Sequence, residues 1–287
     1  MTAKFGIATL VAVAGFAASA NAGVTLTSTG FEAPTYTAGA LNGQNGWIVF
    51  GGTGTSSSNV GNVVNNAANA YAGSQYVEVN TASWTADSTS STYRYMFGYV
   101  DNSAAFLANV GSNPIVHTRL AIRMNTQTGT RSNFALMSNF SASSGFAGLG
   151  TIGLYSPTTN VADSRVYIAG PDNAGALVIS NGTTGWLNQY HVFDLYVNYN
   201  TGTISYAVDG VSLDSIIDGA SYLRTFNTAN AFTDCDINTE RDRPSTGSSS
   251  GGATVRYDNY LVEMIPAPGA MALMGFGGLV ASRRRRA

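Results

Sequence analysis

Val192-Phe193-Asp194-Leu195-Tyr196-Val197-Asn198-Tyr199-Asn200-Thr201-Gly202-Thr203-Ile204-Ser205-Tyr206-Ala207-Val208-Asp209-Gly210-Val211-Ser212-Leu213 alternates apolar and polar residues through runs broken by two turn signals. Phe193, Leu195, Val197 and Tyr199 fall on one side of an extended chain, and Ile204, Tyr206 and Val208 do the same after Gly202. A helix would repeat its apolar positions about every 3.6 residues, so the period of two assigns strands. Asn200-Thr201-Gly202 and Asp209-Gly210 supply residue types that accept the positive φ of tight hairpin turns. The segment predicts a three-stranded antiparallel meander whose apolar stripe requires a second sheet to cover it.

The same alternation recurs along the chain. Val116, Thr118, Leu120, Ile122 and Met124 share a face, and so do Tyr93, Tyr95, Phe97 and Tyr99. Further strands are expected over Gln75–Asn80, Phe134–Phe140, Val166–Ala169, Leu177–Ser180 and Val255–Met264. The composition agrees: 287 residues with 33 Gly, 15 Tyr and only 10% charged residues exclude an all-helical bundle. No repeat of fixed period is present, which counts against a propeller or solenoid. Residues 23–264 therefore predict one all-β domain of two antiparallel sheets packed face to face. Lys4 is the sole Lys, and Arg is scattered except at the extreme C-terminus. With no basic stripe to meet phosphates, nucleic acid is not an expected partner.

Both termini read as addresses. Lys4, the apolar run Phe5–Ala18 and the small-residue pattern Ala20-Asn21-Ala22 before Gly23 follow the order of a secretory signal. Residues 1–22 are expected to form a signal helix that is cleaved, so that the mature chain begins at Gly23. At the other end Pro266-Ala267-Pro268 leads into the apolar run Ala270–Ala281, and Arg283, Arg284, Arg285 and Arg286 precede the final Ala287. Counted from Ile265, the low-polarity stretch has 17 residues, the lower limit for a transmembrane helix, and the four Arg would hold the C-terminus in the cytoplasm.

The Pro-x-Pro step, the short Gly-containing apolar helix and the terminal Arg cluster resemble the PEP-CTERM sorting signal of exported proteins of Gram-negative bacteria. The resemblance covers residues 265–287, with Ala267 where that family has Glu. It implies recognition by an exosortase-type membrane protease, transient anchoring in the membrane, and delivery to the cell envelope, cell surface or extracellular matrix, often beside exopolysaccharide. A plain single-span tail anchor is the alternative. Without the two ends, nine Arg face sixteen carboxylates, so the body between them carries a net charge of −7.

A second resemblance covers that body. Gly30-Phe31-Glu32-Ala33-Pro34, Leu41-Asn42-Gly43-Gln44-Asn45-Gly46-Trp47, the segment from Trp186 to Gly210, and Tyr257-Asp258-Asn259-Tyr260-Leu261-Val262 are similar to concanavalin A-like (laminin G-like) jelly rolls. The resemblance implies a two-sheet antiparallel sandwich whose first and last strands lie side by side. That fold hosts lectins, glycanases, lyases and adhesion modules, so it leaves function open.

The candidate chemistry is sparse. A glycanase of this fold would carry alternating carboxylates on one strand, in the manner of E-x-D-x-x-E, and no such strand is read here. Glu78 and Asp194 each stand isolated on their strands and are expected on solvent faces. His117 shares a strand face with Arg119 and Arg123, a cationic strip suited to an acidic sugar or, through His117, to proton abstraction in a lyase. An ordinary exposed polar face is the plainer account. Trp84 lies in a polar stretch and is the expected surface stacking residue, whereas Trp47 and Trp186 are expected in the core. Gly148-Leu149-Gly150-Thr151-Ile152-Gly153 matches a dinucleotide-binding pattern by letter but lacks its strand-to-helix context.

Asp234, Asp236 and Asn238 begin like a calcium loop, but Thr239 and Ser245 stand where an EF-hand needs Gly and Glu. They remain candidates for a looser calcium site, with an acidic flexible loop as the alternative. Cys235 has no intramolecular partner, which leaves a free thiol or an intermolecular bridge. The leading expectation is a non-enzymatic exported jelly roll that engages extracellular polysaccharide or matrix. A secreted hydrolase or lyase and a purely structural matrix component are the alternatives. A single groove collecting Trp84, the His117–Arg123 strip and the Asp234 segment would favour binding, and scattered positions would favour the structural role.

Overall fold

The computed structural model describes residues 23–51, 61–81, 84, 94–126, 132–141, 147–157, 160–171, 177–180, 185–213, 224–241 and 252–266. The signal segment 1–22, Tyr93, and the sorting signal from Ala267 onward lie outside them. Seventeen strands are described: β1 Val24–Thr29, β2 Gly39–Ala40, β3 Ile48–Gly51, β4 Asn62–Asn65, β5 Gln75–Asn80, β6 Arg94–Tyr99, β7 Ile115–Met124, β8 Asn133–Ser141, β9 Ala147–Ser156, β10 Arg165–Ala169, β11 Leu177–Ser180, β12 Tyr190–Asn198, β13 Thr203–Val208, β14 Val211–Ser212, β15 Arg224–Thr225, β16 Phe232–Arg241 and β17 Thr254–Ile265. One short helix, α1, spans Ser103–Asn109.

The strands form two antiparallel sheets. The larger runs β14-β13-β12-β7-β17-β5-β4-β2, with β1 paired to β17 and β15 to β13. The smaller runs β11-β10-β9-β8-β16-β6-β3. The meander forms as its alternation requires: β12 pairs β13 from Phe193–Val208 to Asn198–Thr203, and the turn residues Gly202, Asp209 and Gly210 have φ of 66°, 50° and 76°. The apolar stripes Leu120, Ile122, Met124 and Phe193, Leu195, Val197 bury against Met137, Ile152, Leu154, Val166 and Ile237 of the other sheet. This is the jelly-roll sandwich expected from the sequence.

The first and last strands do lie side by side. Glu32, just after β1, accepts hydrogen bonds from the Ser74 and Gln75 amides at 2.7 and 2.8 Å, and Asp258 of β17 accepts from the Tyr71 and Ala72 amides at 2.9 and 3.1 Å. Phe31, Tyr36, Trp47 and Tyr260 make one aromatic cluster, with Trp47 donating to the Tyr36 hydroxyl at 3.0 Å. A bulge in β17 between Asp258 and Leu261, with Asn259 at φ 50°, turns both Tyr257 and Tyr260 inward although they are three residues apart. Each then reaches the opposite sheet: Tyr257 donates to the Asn238 carbonyl at 2.6 Å and Tyr260 to the Cys235 carbonyl at 2.7 Å.

Three expectations need correcting. Tyr95, Phe97 and Tyr99 share a face, but it is the outer, half-buried one; Met96 and Gly98 face the core. The Asp234 segment is strand β16, hydrogen-bonded between β8 and β6 in the middle of the smaller sheet, and is no loop. Trp84 is buried in the core, where the Arg241 guanidinium lies 5.7 Å over its ring and donates to its carbonyl at 2.9 Å. Its polar sequence neighbours hid the fact that Arg241 crosses from β16 to hold it. The glycine-rich match Gly148–Gly153 lies wholly within β9, so no helix N-terminus follows it.

Candidate functional site

The outer faces of the two sheets carry the polar chemistry, and they differ in kind. On the larger sheet His117 of β7 is clamped. Its Nε2 lies 2.7 Å from Asp194 of β12, its Nδ1 lies 2.8 Å from Glu263 of β17, and its ring stacks on Tyr196 at 4.3 Å. Arg119 donates through Nε to the same Asp194 oxygen at 2.7 Å. Burial would raise the Asp194 carboxyl, but the hydrogen bonds from His117 and Arg119 outweigh it and hold it below the usual range. Arg123 donates to Asn125 at 3.1 Å. Asp194 is thus neither isolated nor solvated, and the expected cationic strip is an ion network whose imidazole already has both nitrogens occupied. Glu78, half-buried, pairs with Arg256 at 3.0 Å.

The outer face of the smaller sheet carries a row of carboxyl and amide groups instead. Along β16, Cys235, Ile237 and Thr239 face the core, so Asp234, Asp236, Asn238 and Glu240 project from the other side. This is an alternating acidic strand of the kind the sequence did not reveal. Register sets rings on both flanks: Phe97 beside Asn238 and Tyr95 beside Glu240 from β6, and Phe134 beside Glu240 from β8. The rings pack into two clusters. Phe50 and Tyr95 contact Phe97 at 5.5 and 4.9 Å on one flank, while Phe134 stacks on Tyr155 at 4.5 Å and meets Tyr167 at 5.7 Å on the other.

The charges on this row are perturbed by burial. Asp236 is 5% exposed and Asn238 3%. Burial, then the neighbouring Asp234 charge and a hydrogen bond to it, push the Asp236 carboxyl well up, so Asp236 keeps a proton and donates it to Asp234. Burial also raises Glu240, against the hydrogen bond it accepts from Asn238 Nδ2 at 2.8 Å. Among the described residues, no cationic group enters the environment of any of the three. Oδ1 of Asp236 and Oδ1 of Asn238 are buried with no hydrogen-bond partner among the described residues. Buried polar atoms are ordinarily paired, and carboxyls perturbed by burial mark a candidate functional site.

The sequence-derived candidates do not meet in one groove, the outcome that counts against binding through them together. Trp84 is in the core, the His117–Arg119–Arg123 strip is on one outer face, and Asp234, Asp236 and Asn238 are on the other. Among the described residues no three His, Cys, Asp or Glu side chains gather closely enough to hold a metal ion. Cys235 is a free, fully buried thiol on the core side of β16, which gives it no access to a second chain. The residues missed were Glu240 and the flanking rings. Their signal was the interleaving of Asp234, Asp236, Asn238 and Glu240 with Cys235, Ile237 and Thr239.

No family model matches the chain, and no curated protein matches it. Solved structures of similar shape include the botulinum neurotoxin serotype C1 binding domain (11% identity, TM-score 0.48, 89% of this chain and 52% of that one). A Bacillus licheniformis beta-glucanase (10%, TM-score 0.44, 84% and 98%) and a Pseudomonas aeruginosa alginate lyase (13%, TM-score 0.42, 66% and 82%) are also similar. The chain spans about half the length of the neurotoxin binding domains it matches.

Proposed function

We propose that the protein is exported by its N-terminal signal, sorted at its C-terminus by an exosortase-type membrane protease acting near Pro266-Ala267-Pro268, and presented at the cell surface or in the matrix. There it binds extracellular polysaccharide through the outer face of the smaller sheet. The sorting half rests on the order of segments at the two ends of the sequence. The binding half rests on one observation: a strand of buried, partly unpaired acceptors between two banks of aromatic rings. Sugar rings lay their C–H faces on aromatic side chains and their hydroxyls on carboxyl and amide oxygens. Retention of the purified protein on a polysaccharide panel tests it, and no retention on any member would leave only a structural matrix role.

The alternating carboxyls of β16 favour one second reading, glycoside hydrolysis. Such a reaction uses one carboxyl that holds a proton as acid and another as base or nucleophile, and burial raises both Asp236 and Glu240. Turnover of a bound glycan that disappears in Glu240→Gln would establish it.

A further inference from the structure

Resting on the polysaccharide-binding reading, we infer that the row on β16 takes an amino-sugar polymer with free amines, seating a protonated amine over Asp236 and Asn238. The chemistry of the two unpaired atoms carries this. Oδ1 of Asp236 and Oδ1 of Asn238 are both acceptors, and Asn238 Nδ2 already donates to Glu240. The missing partner must therefore bring donors. A neutral sugar hydroxyl brings one donor along with lone pairs that this acceptor-rich row does not need, whereas an ammonium brings three donors and no acceptor.

Charge points the same way. Asp101, Asp234, Asp236 and Glu240 lie in and beside the row, since Tyr99 senses Asp234, Asp236 and Asp101, and Tyr167 senses Glu240. Arg165, on the same face of β10, donates to the carbonyls of Ala162 and Ser164 at 3.1 and 3.2 Å and so is turned to the backbone. An anionic glycan would meet like charge and further unsatisfied acceptors. A cationic glycan would instead be drawn to the Asp234 carboxylate, which Asp236 holds by a hydrogen bond. The flanking rings of Tyr95 and Phe97 add a face that attracts both sugar C–H groups and a nearby ammonium.

The test is isothermal titration of the purified protein at pH 6 with four probes: glucosamine hexamer, N-acetylglucosamine hexamer, a mannuronate hexamer and a lysine hexapeptide. Glucosamine hexamer should bind at least tenfold more tightly than each of the other three. That advantage should fall at least tenfold in Asp236→Asn and in Glu240→Gln, two near-isosteric changes whose folding is checked by circular dichroism. Equal or tighter binding of the N-acetylated or uronate hexamer would overturn the amine assignment while leaving polysaccharide binding intact. Equal binding of the lysine peptide would overturn the sugar component. Failure of every hexasaccharide to bind would overturn the polysaccharide-binding reading itself.

Discussion

At the scale of single residues, the two inward tyrosines of β17 join the sheets. Tyr257 and Tyr260 donate across the core to the backbone of β16, and Thr239 bonds the Tyr257 hydroxyl at 2.6 Å. Removing either hydroxyl takes a buried hydrogen bond from between the sheets, at a cost of about 0.5–1.5 kcal/mol. Tyr257→Phe and Tyr260→Phe should each lower stability by that amount in urea unfolding, with little change in m-value. Asp194 is the corresponding residue on the larger sheet. Asp194→Ala would strip His117 and Arg119 of a shared carboxylate and should cost about 3 kcal/mol, as breaking a buried ion pair does.

Single carboxyls also set the pH response. Burial, against the amides of Ala72, Asn259 and Tyr71, pushes Asp258 up to about 6. Asp234, Asp236 and Glu240 move in the same direction. For a carboxyl raised in the fold, the folded state holds protons that the unfolded chain has released, so stability is greatest below the ordinary carboxylate range and declines as pH rises through the raised value. Asp194 and Glu32 are lowered and act oppositely, losing their contribution as pH falls below about 4. Tm should therefore rise by several degrees from pH 7.5 to pH 5 and fall again below pH 4. The double variant Asp236→Asn, Glu240→Gln should flatten the neutral-to-pH 5 rise, and an unchanged slope in scanning fluorimetry would contradict the assignment.

At the scale of elements, β12 and β13 were legible because their apolar stripes are strong and their turns carry Gly202 and Asp209-Gly210. β5 and β11 fall at the residues that alternation assigns. β16 was hidden. Asp and Asn are poor strand formers, and a run of oxygen ligands imitates a calcium loop more readily than it suggests the centre of a sheet. Of its inward Cys235, Ile237 and Thr239, only Ile237 is large and strongly apolar, so the apolar half of the alternation was faint. The aromatic alternation of β6 was visible, but its face was not. Large rings are usually buried, and only the pairing of Met96 and Gly98 with Thr239 and Ile237 shows which side is the core. The candidate site was illegible for the same reason, since its rings come from separate strands and meet only through register. In β16, Ile237→Asp should abolish folding, because it places a carboxylate in the core, whereas Ile237→Val, which removes one methylene, should be tolerated at a cost of about 0.5–1.5 kcal/mol; soluble yield and circular dichroism separate the two.

At the scale of the whole molecule, a precursor of small net charge would become an acidic sandwich once both ends are removed. Mass spectrometry of the exported protein should find a chain that begins at Gly23 and lacks Arg283 through Arg286. An intact C-terminus at Ala287 would contradict processing by a protease and leave a tail anchor. The central claim, however, concerns the surface that such sorting would present, and the most direct test compares the two outer faces. Affinity electrophoresis in polysaccharide-containing gels should retard the unmodified protein and the Arg119→Ala variant alike. Retardation should weaken about tenfold in Phe97→Ala, which removes a ring from beside Asn238. Retardation lost in Arg119→Ala and kept in Phe97→Ala would place binding on the opposite sheet and contradict the account.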